Sequence, residues 1–202
     1  MERTAAQALL RDAERLRRRA HGDRHASSVP LLVFGGLTVI GALLTLPHLS
    51  PWGDVFWLLA GPAGFLVTGW WYRRRQTRSG VGEGRGSWTV AGVSMLLALA
   101  LLPVVWIAPL PIVGAGLLVV AALQRNRYLA TWAAILGLLG GLERFFVLSN
   151  RLYDLADWLG WFRGPSGRRL LVDLGSAIVF AALGGLLLAA GLVALRRERA
   201  GR

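Results

Sequence analysis

A chain of 202 residues that is 54% hydrophobic and 17% charged, with a mean hydropathy of +0.50, gathers its apolar residues into long blocks that a soluble domain of ordinary composition does not carry. Its net charge of +12 comes from 23 basic residues, all arginine; they stand at the ends of the apolar blocks, so membrane topology accounts for them and nucleic acid is set aside as a partner. With no cysteine, disulfides, thiolate catalysis and cysteine-ligated metal or iron–sulfur centres are excluded.

Residues 1–27 are polar and carry seven arginines. Within them "AAQALLRDAERLRRRA" predicts a basic amphipathic helix on the cytoplasmic side. Leu9, Ala13, Leu16 and Ala20 share a face, and Glu14 precedes Arg18 by four residues, a favourable pairing. The run "RLRRRA" suits the anionic head groups of a lipid bilayer. The segment is too charged for a secretory signal, and no small-x-small cleavage site follows the first apolar block. The pattern "ALLRDAERLRRRA", leading into a multi-span apolar region, resembles uncharacterised small integral membrane proteins of actinobacteria. That resemblance covers the N-terminal helix and the general layout. It implies a membrane-embedded all-α fold and transfers no catalytic residue.

Six apolar blocks follow, at 29–46, 55–72, 88–108, 109–124, 129–148 and 170–195. A helix needs about 20 residues to cross a hydrocarbon core of about 30 Å, so they predict a six-helix transmembrane domain over 28–196. Pro30 falls in a first helical turn, where it is tolerated. Pro62 predicts a kink in the second block. The third and fourth blocks, joined by "APLP", read either as two full spans or as a re-entrant pair. The sixth is long enough to tilt. Between the fifth and sixth, "NRLYDLADWLGWFRGPSGRR" places Leu152, Leu155, Leu159 and Phe162 on one face. That pattern predicts an interfacial helix over 151–163, ended by "GPSG". Residues 197–202 form a polar tail.

Orientation follows from the arginines. The N-terminal segment, the loop after the second block, the loop "QRNR" and the C-terminal tail hold 7, 5, 2 and 4 of them. The opposite side holds four, all between Asn150 and Arg169. The positive-inside rule then puts both termini in the cytoplasm of a plasma-membrane protein.

One stretch breaks the apolar pattern: Glu143 and Arg144 in "LLGGLERFFVLSN". Arg144 stands fifteen residues after Leu129, about 22 Å into a core of about 30 Å, within snorkelling reach of the outer surface. A carboxylate at the depth of Glu143 must be paired, neutralised or reached by water. Small residues mark two candidate packing faces, Gly137 and Gly141 in the fifth block and Ala177, Ala181, Gly185 and Ala189 in the sixth. Asp173 heads the second of these. The expectation is that these two helices pack through their small faces and that Arg144 meets Asp173 at the outer end. The Glu143, Arg144 and Asp173 cluster reads either as a structural ion pair or as an outward-facing site for a proton, cation or polar ligand.

Motifs for chemistry are missing. No G-x-S-x-G elbow, H-E-x-x-H or Walker sequence occurs, and the three histidines lie outside the spans. No catalytic, cofactor-binding or metal-binding residue is assigned, and no cofactor is expected. Two function classes remain. One is a non-enzymatic accessory, scaffold or sensor subunit, working with a soluble cytoplasmic protein or a second copy of itself. The other is a small transporter or permease component that uses the polar cluster.

Overall fold

In the computed structural model of the chain, residues 27–46, 51–79, 87–101, 109–159 and 165–200 are described. The basic helix expected near the N-terminus lies outside them. So does 102–108, on which the choice between two spans and a re-entrant pair depends. Among the described residues the protein is all-α, with seven helices and no strand. They are α1 (Ser28–Leu44), α2 (Pro51–Ser79), α3 (Ser87–Leu101), α4 (Pro109–Leu123), α5 (Arg127–Arg144), α6 (Val147–Trp158) and α7 (Pro165–Ala200).

The helices form because long apolar runs lose nothing by satisfying their backbone groups internally, and the break between α4 and α5 comes where the polar residues Gln124, Arg125 and Asn126 interrupt them. α2 passes through Pro62 as one helix. The α4–α5 turn is built tightly. Arg125 takes the left-handed conformation at φ 53. Asn126 N donates to Ala121 O at 2.8 Å and Arg125 N to Ala122 O at 3.0 Å, which closes the end of α4 in a Schellman arrangement. Asn126 then turns its side chain to cap α5, accepting from Leu129 N at 3.0 Å.

Successive long helices run in alternating directions. Tyr72, near the end of α2, stacks on Trp88, near the start of α3, with ring centroids 5.9 Å apart. Gly61 and Gly116 on α2 and α4 face Val113 and Phe65. A Cβ at Gly114 of α4 would lie 2.5 Å from Gly137 Cα of α5, while Gly140 lies against Leu110. Tyr128 Oη, at the start of α5, donates to Ala190 O near the end of α7 at 3.0 Å. The alternation gathers the described arginines 73, 74, 125, 127, 196, 197 and 199 at one end of the bundle, all exposed. At the other end lie the α5–α6 junction, α6 and the first half of α7.

The core runs through the middle of this arrangement. Phe34 and Phe65 meet edge to face at 5.0 Å, and Leu117, Val120, Leu129, Leu136 and Leu187 are buried around them. Thr38 and Thr68 place their hydroxyls in this apolar interior. Each donates back to the carbonyl four residues earlier, Phe34 O and Gly64 O, at 2.7 Å, so neither is orphaned.

The expected packing between the fifth and sixth blocks is corrected by these contacts. Gly137 and Gly141 turn toward α4, where their neighbours are Gly114 and Pro111. On α7, Ala177 is buried, but Ala181, Gly185 and Ala189 are exposed, and a Cβ at Gly185 would meet nothing within 4 Å. α7 instead packs on α1 through Gly184, Leu187, Leu188 and Gly191. A Cβ at Gly184 would stand 2.9 Å from Val39 N and 3.0 Å from Gly35 O, and one at Gly35 would stand 2.9 Å from Leu188 N. The physical reason is that α7 offers two small-residue faces. The one carrying Gly184 and Gly191 admits another backbone, and glycine permits a closer approach than alanine.

Within α7, Leu174–Ala200 is long and apolar enough to cross a membrane. α5 and α6 meet that criterion together, but with a 74° bend between them. α1, Trp88–Leu97 and Leu110–Leu123 are shorter apolar helices. α2 is 29 residues long, but Pro62, its glycines and the end "GWWYRRR" dilute its apolar character.

Candidate functional site

The charged pair of the fifth block sits at the 74° bend between α5 and α6. α5 ends at Arg144 and α6 begins at Val147. The turn between them is Phe145–Phe146, with Phe146 left-handed at φ 55. Phenylalanine has no polar atom with which to cap a helix, so the first turn of α6 needs an acceptor from elsewhere. Glu143 supplies it. Its carboxylate is 2% exposed, and Oε2 accepts from Ser149 N at 3.1 Å. Ser149 is the third residue of α6, the position to which a capping side chain ordinarily bonds. A negative charge there also opposes the positive end of the helix dipole.

The other carboxylate oxygen reaches a third helix. Ser176 Oγ, on α7, donates to Glu143 Oε1 at 2.5 Å. Close by, a Cβ on Gly175 would stand 3.0 Å from Ser149 Cβ, so the backbone of α7 runs directly beneath the start of α6. One side chain thus fixes the end of α5, the start of α6 and the side of α7.

Sequence reasoning singled out Glu143 for its cost in an apolar run, and it lies at the centre of the junction. Arg144 is exposed, beside it in sequence and on another face of α5. Asp173 lies in α7, three residues before Ser176. Its side chain is outside the described residues, and the expected Arg144–Asp173 pairing falls there with it. Ser149 and Ser176 were not foreseen. The signal for Ser149 was present, in a helix start that lacks its own capping residue. No spacing rule in the sequence leads to Ser176.

A second carboxylate does comparable work at the arginine end. Glu198, near the C-terminus of α7, accepts from Ser27 N at 3.0 Å and Ser28 N at 3.1 Å through Oε1, and from Ser28 Oγ at 2.8 Å through Oε2. Ser27 is the N-cap residue of α1 yet makes no side-chain capping bond. Glu198 therefore caps α1 from 170 residues away in sequence. The sequence reading assigned Glu198 to a polar tail, whereas α7 continues to Ala200. Chemically, both sites are fixed anions whose oxygens are engaged by protein donors. Among the described residues no three His, Cys, Asp or Glu side chains come together to hold a metal ion.

Comparison with known proteins gives no match to a family model, to a curated protein or to a solved structure.

Proposed function

We propose that this chain is a multi-pass plasma-membrane protein with a non-enzymatic role, an accessory, scaffold or sensor subunit. In this reading α1 to α5 and α7 make six crossings, α6 lies in the outer interface, and both termini are cytoplasmic. Two features support the topology. Large aliphatic side chains stand exposed on all six long helices, among them Ile40, Leu59, Val93, Val119, Leu138 and Leu186, more apolar surface than a water-soluble monomer tolerates. Arginines 73, 74, 125, 127, 196, 197 and 199 share one end of the bundle, against Arg144 and Arg151 at the other, an asymmetry of the kind the positive-inside rule expects of the cytoplasmic side. The exposed α7 face of Ala181, Gly185 and Ala189 leaves room for a second copy or another membrane subunit.

The observation that carries the non-transport reading is the engagement of Glu143. Its two oxygens hold Ser149 N and Ser176 Oγ, which gives the buried charge a structural purpose. One observation favours transport instead. A buried carboxylate at a 74° helix break is the arrangement in which discontinuous helices bind ions, and Glu143, Arg144 and Asp173 would then line the pathway. Proteoliposomes holding wild type or Glu143→Gln separate the two. The accessory reading expects no proton or monovalent-cation flux above that of empty liposomes with either protein. Flux through the wild type that the substitution abolishes would establish the transporter.

A further inference from the structure

At the arginine end, α4 turns into α5 beside the last turns of α7, and among the described residues the charges there are not balanced. Among the described residues the acidic side chain at this end is Glu198, and both its oxygens are committed to capping α1. Arg125, Arg127 and Arg197 are exposed, and the described residues give none of them an ion pair. Their positions are nevertheless held. Arg125 sits in the left-handed position of the tight turn, Arg127 is the first residue of α5, and the guanidinium of Arg197 lies over the Tyr128 ring, 6.0 Å from its centroid. Tyr128 is itself fixed by its hydroxyl bond to Ala190 O and by edge contact with Trp132 at 6.4 Å. Arg125 and Arg127 thus stand within three residues in sequence of an anchored aromatic ring that carries the Arg197 guanidinium over its face. Immediately along α4, Leu123 is 69% exposed, so an apolar surface adjoins the cationic one.

We propose that Arg197, over Tyr128, together with Arg125 and Arg127 of the adjoining α4–α5 turn, holds the phosphate of one anionic phospholipid whose acyl chains descend along Leu123 and Trp132. The proposal rests on the membrane reading above and gives this end a defined ligand. Guanidinium groups bind phosphate oxygens in a planar, paired geometry. Tyrosine and tryptophan rings favour the depth where a head group gives way to acyl chain, and Tyr128 and Trp132 form such a pair here. The adjoining apolar surface favours a lipid over a soluble phosphate.

The test uses the full chain in a non-ionic detergent. Phosphatidylglycerol, phosphatidylcholine and inorganic phosphate are titrated separately, with unfolding temperature and retained lipid by native mass spectrometry as readouts. Phosphatidylglycerol is expected to raise the unfolding temperature and remain bound, and the other two to do neither. Arg125→Gln/Arg127→Gln/Arg197→Gln should bind it more weakly on the order of 100-fold, whereas Arg73→Gln/Arg74→Gln, at the end of α2, should bind it as wild type does. Arg197→Gln alone should show a partial loss and serves if the triple variant does not fold. Equal effects of the two lipids, equal stabilisation by inorganic phosphate, or undiminished binding by the triple variant or, in its place, by Arg197→Gln would overturn the assignment. The topology is read separately, by labelling in intact cells, so failure of this site leaves the membrane reading standing.

Discussion

A carboxylate buried as deeply as Glu143 is costly unless donors meet it, and here the donors come from two helices other than its own. Glu143→Ala would leave Ser149 N and Ser176 Oγ without their acceptor, a loss of about 1–3 kcal/mol. Glu143→Gln keeps one carbonyl oxygen for Ser149 N and should fall between wild type and alanine. Glu198→Ala removes only the cap of α1, which is worth about 1 kcal/mol. Thermal unfolding in detergent checks this order. Amide exchange adds a local readout, faster in α6 for the Glu143 variants and at the start of α1 for Glu198→Ala. The importance of Glu143 was legible in the sequence because a charge inside an apolar run demands an explanation. Its partners were not, since serine fits membrane helices without announcing a role. Glu198 was hidden for the opposite reason: among arginines at a chain end, a glutamate reads as ordinary surface charge.

At the scale of helices, the all-α architecture was legible because apolar runs separated by arginine-rich or proline-containing segments leave few other solutions. Which face meets which was not. Gly137 and the Ala181/Gly185/Ala189 stripe both satisfy a small-residue pattern, and the pattern carries no address for its partner. The decision lies in three-dimensional fit, with Gly114 opposite Gly137 and Gly184 opposite Gly35 and Val39. The α5–α6 break was missed for a similar reason. Phe145 and Phe146 carry no turn signature, and the left-handed φ at Phe146 is sustained by the bonds around it. A paired substitution tests the assignment of faces. Gly114→Ala places a methyl 2.5 Å from Gly137 Cα and must force α4 and α5 apart, at a cost of about 1–3 kcal/mol. Gly185→Ala points into open space and should leave the unfolding temperature of the monomer unchanged or slightly raised. The reverse ranking would return the packing face to the stripe.

Across the whole molecule, two asymmetries combine. Aliphatic side chains are exposed along the long helices, and the described arginines of the α4–α5 turn and of the ends of α2 and α7 collect at one end. In water the first would drive aggregation; in a bilayer it is the surface that lipid covers. On the membrane reading proposed above, the second would set direction, since arginines within short loops hold those loops on the cytoplasmic side. α7 spans the arrangement from end to end. It is tied to α6 through Ser176 and Glu143 and to α1 through Glu198, so the two carboxylates fix its ends against different neighbours.

The chain contains no cysteine, so a single introduced thiol reports on topology without background. Asn150→Cys in α6 and Arg199→Cys in α7 both replace exposed residues, at opposite ends of the bundle. A membrane-impermeant maleimide applied to intact cells should label position 150 and leave position 199 untouched until the membrane is opened. Labelling of position 199 in intact cells, or recovery of the protein in solution without detergent, would contradict the account.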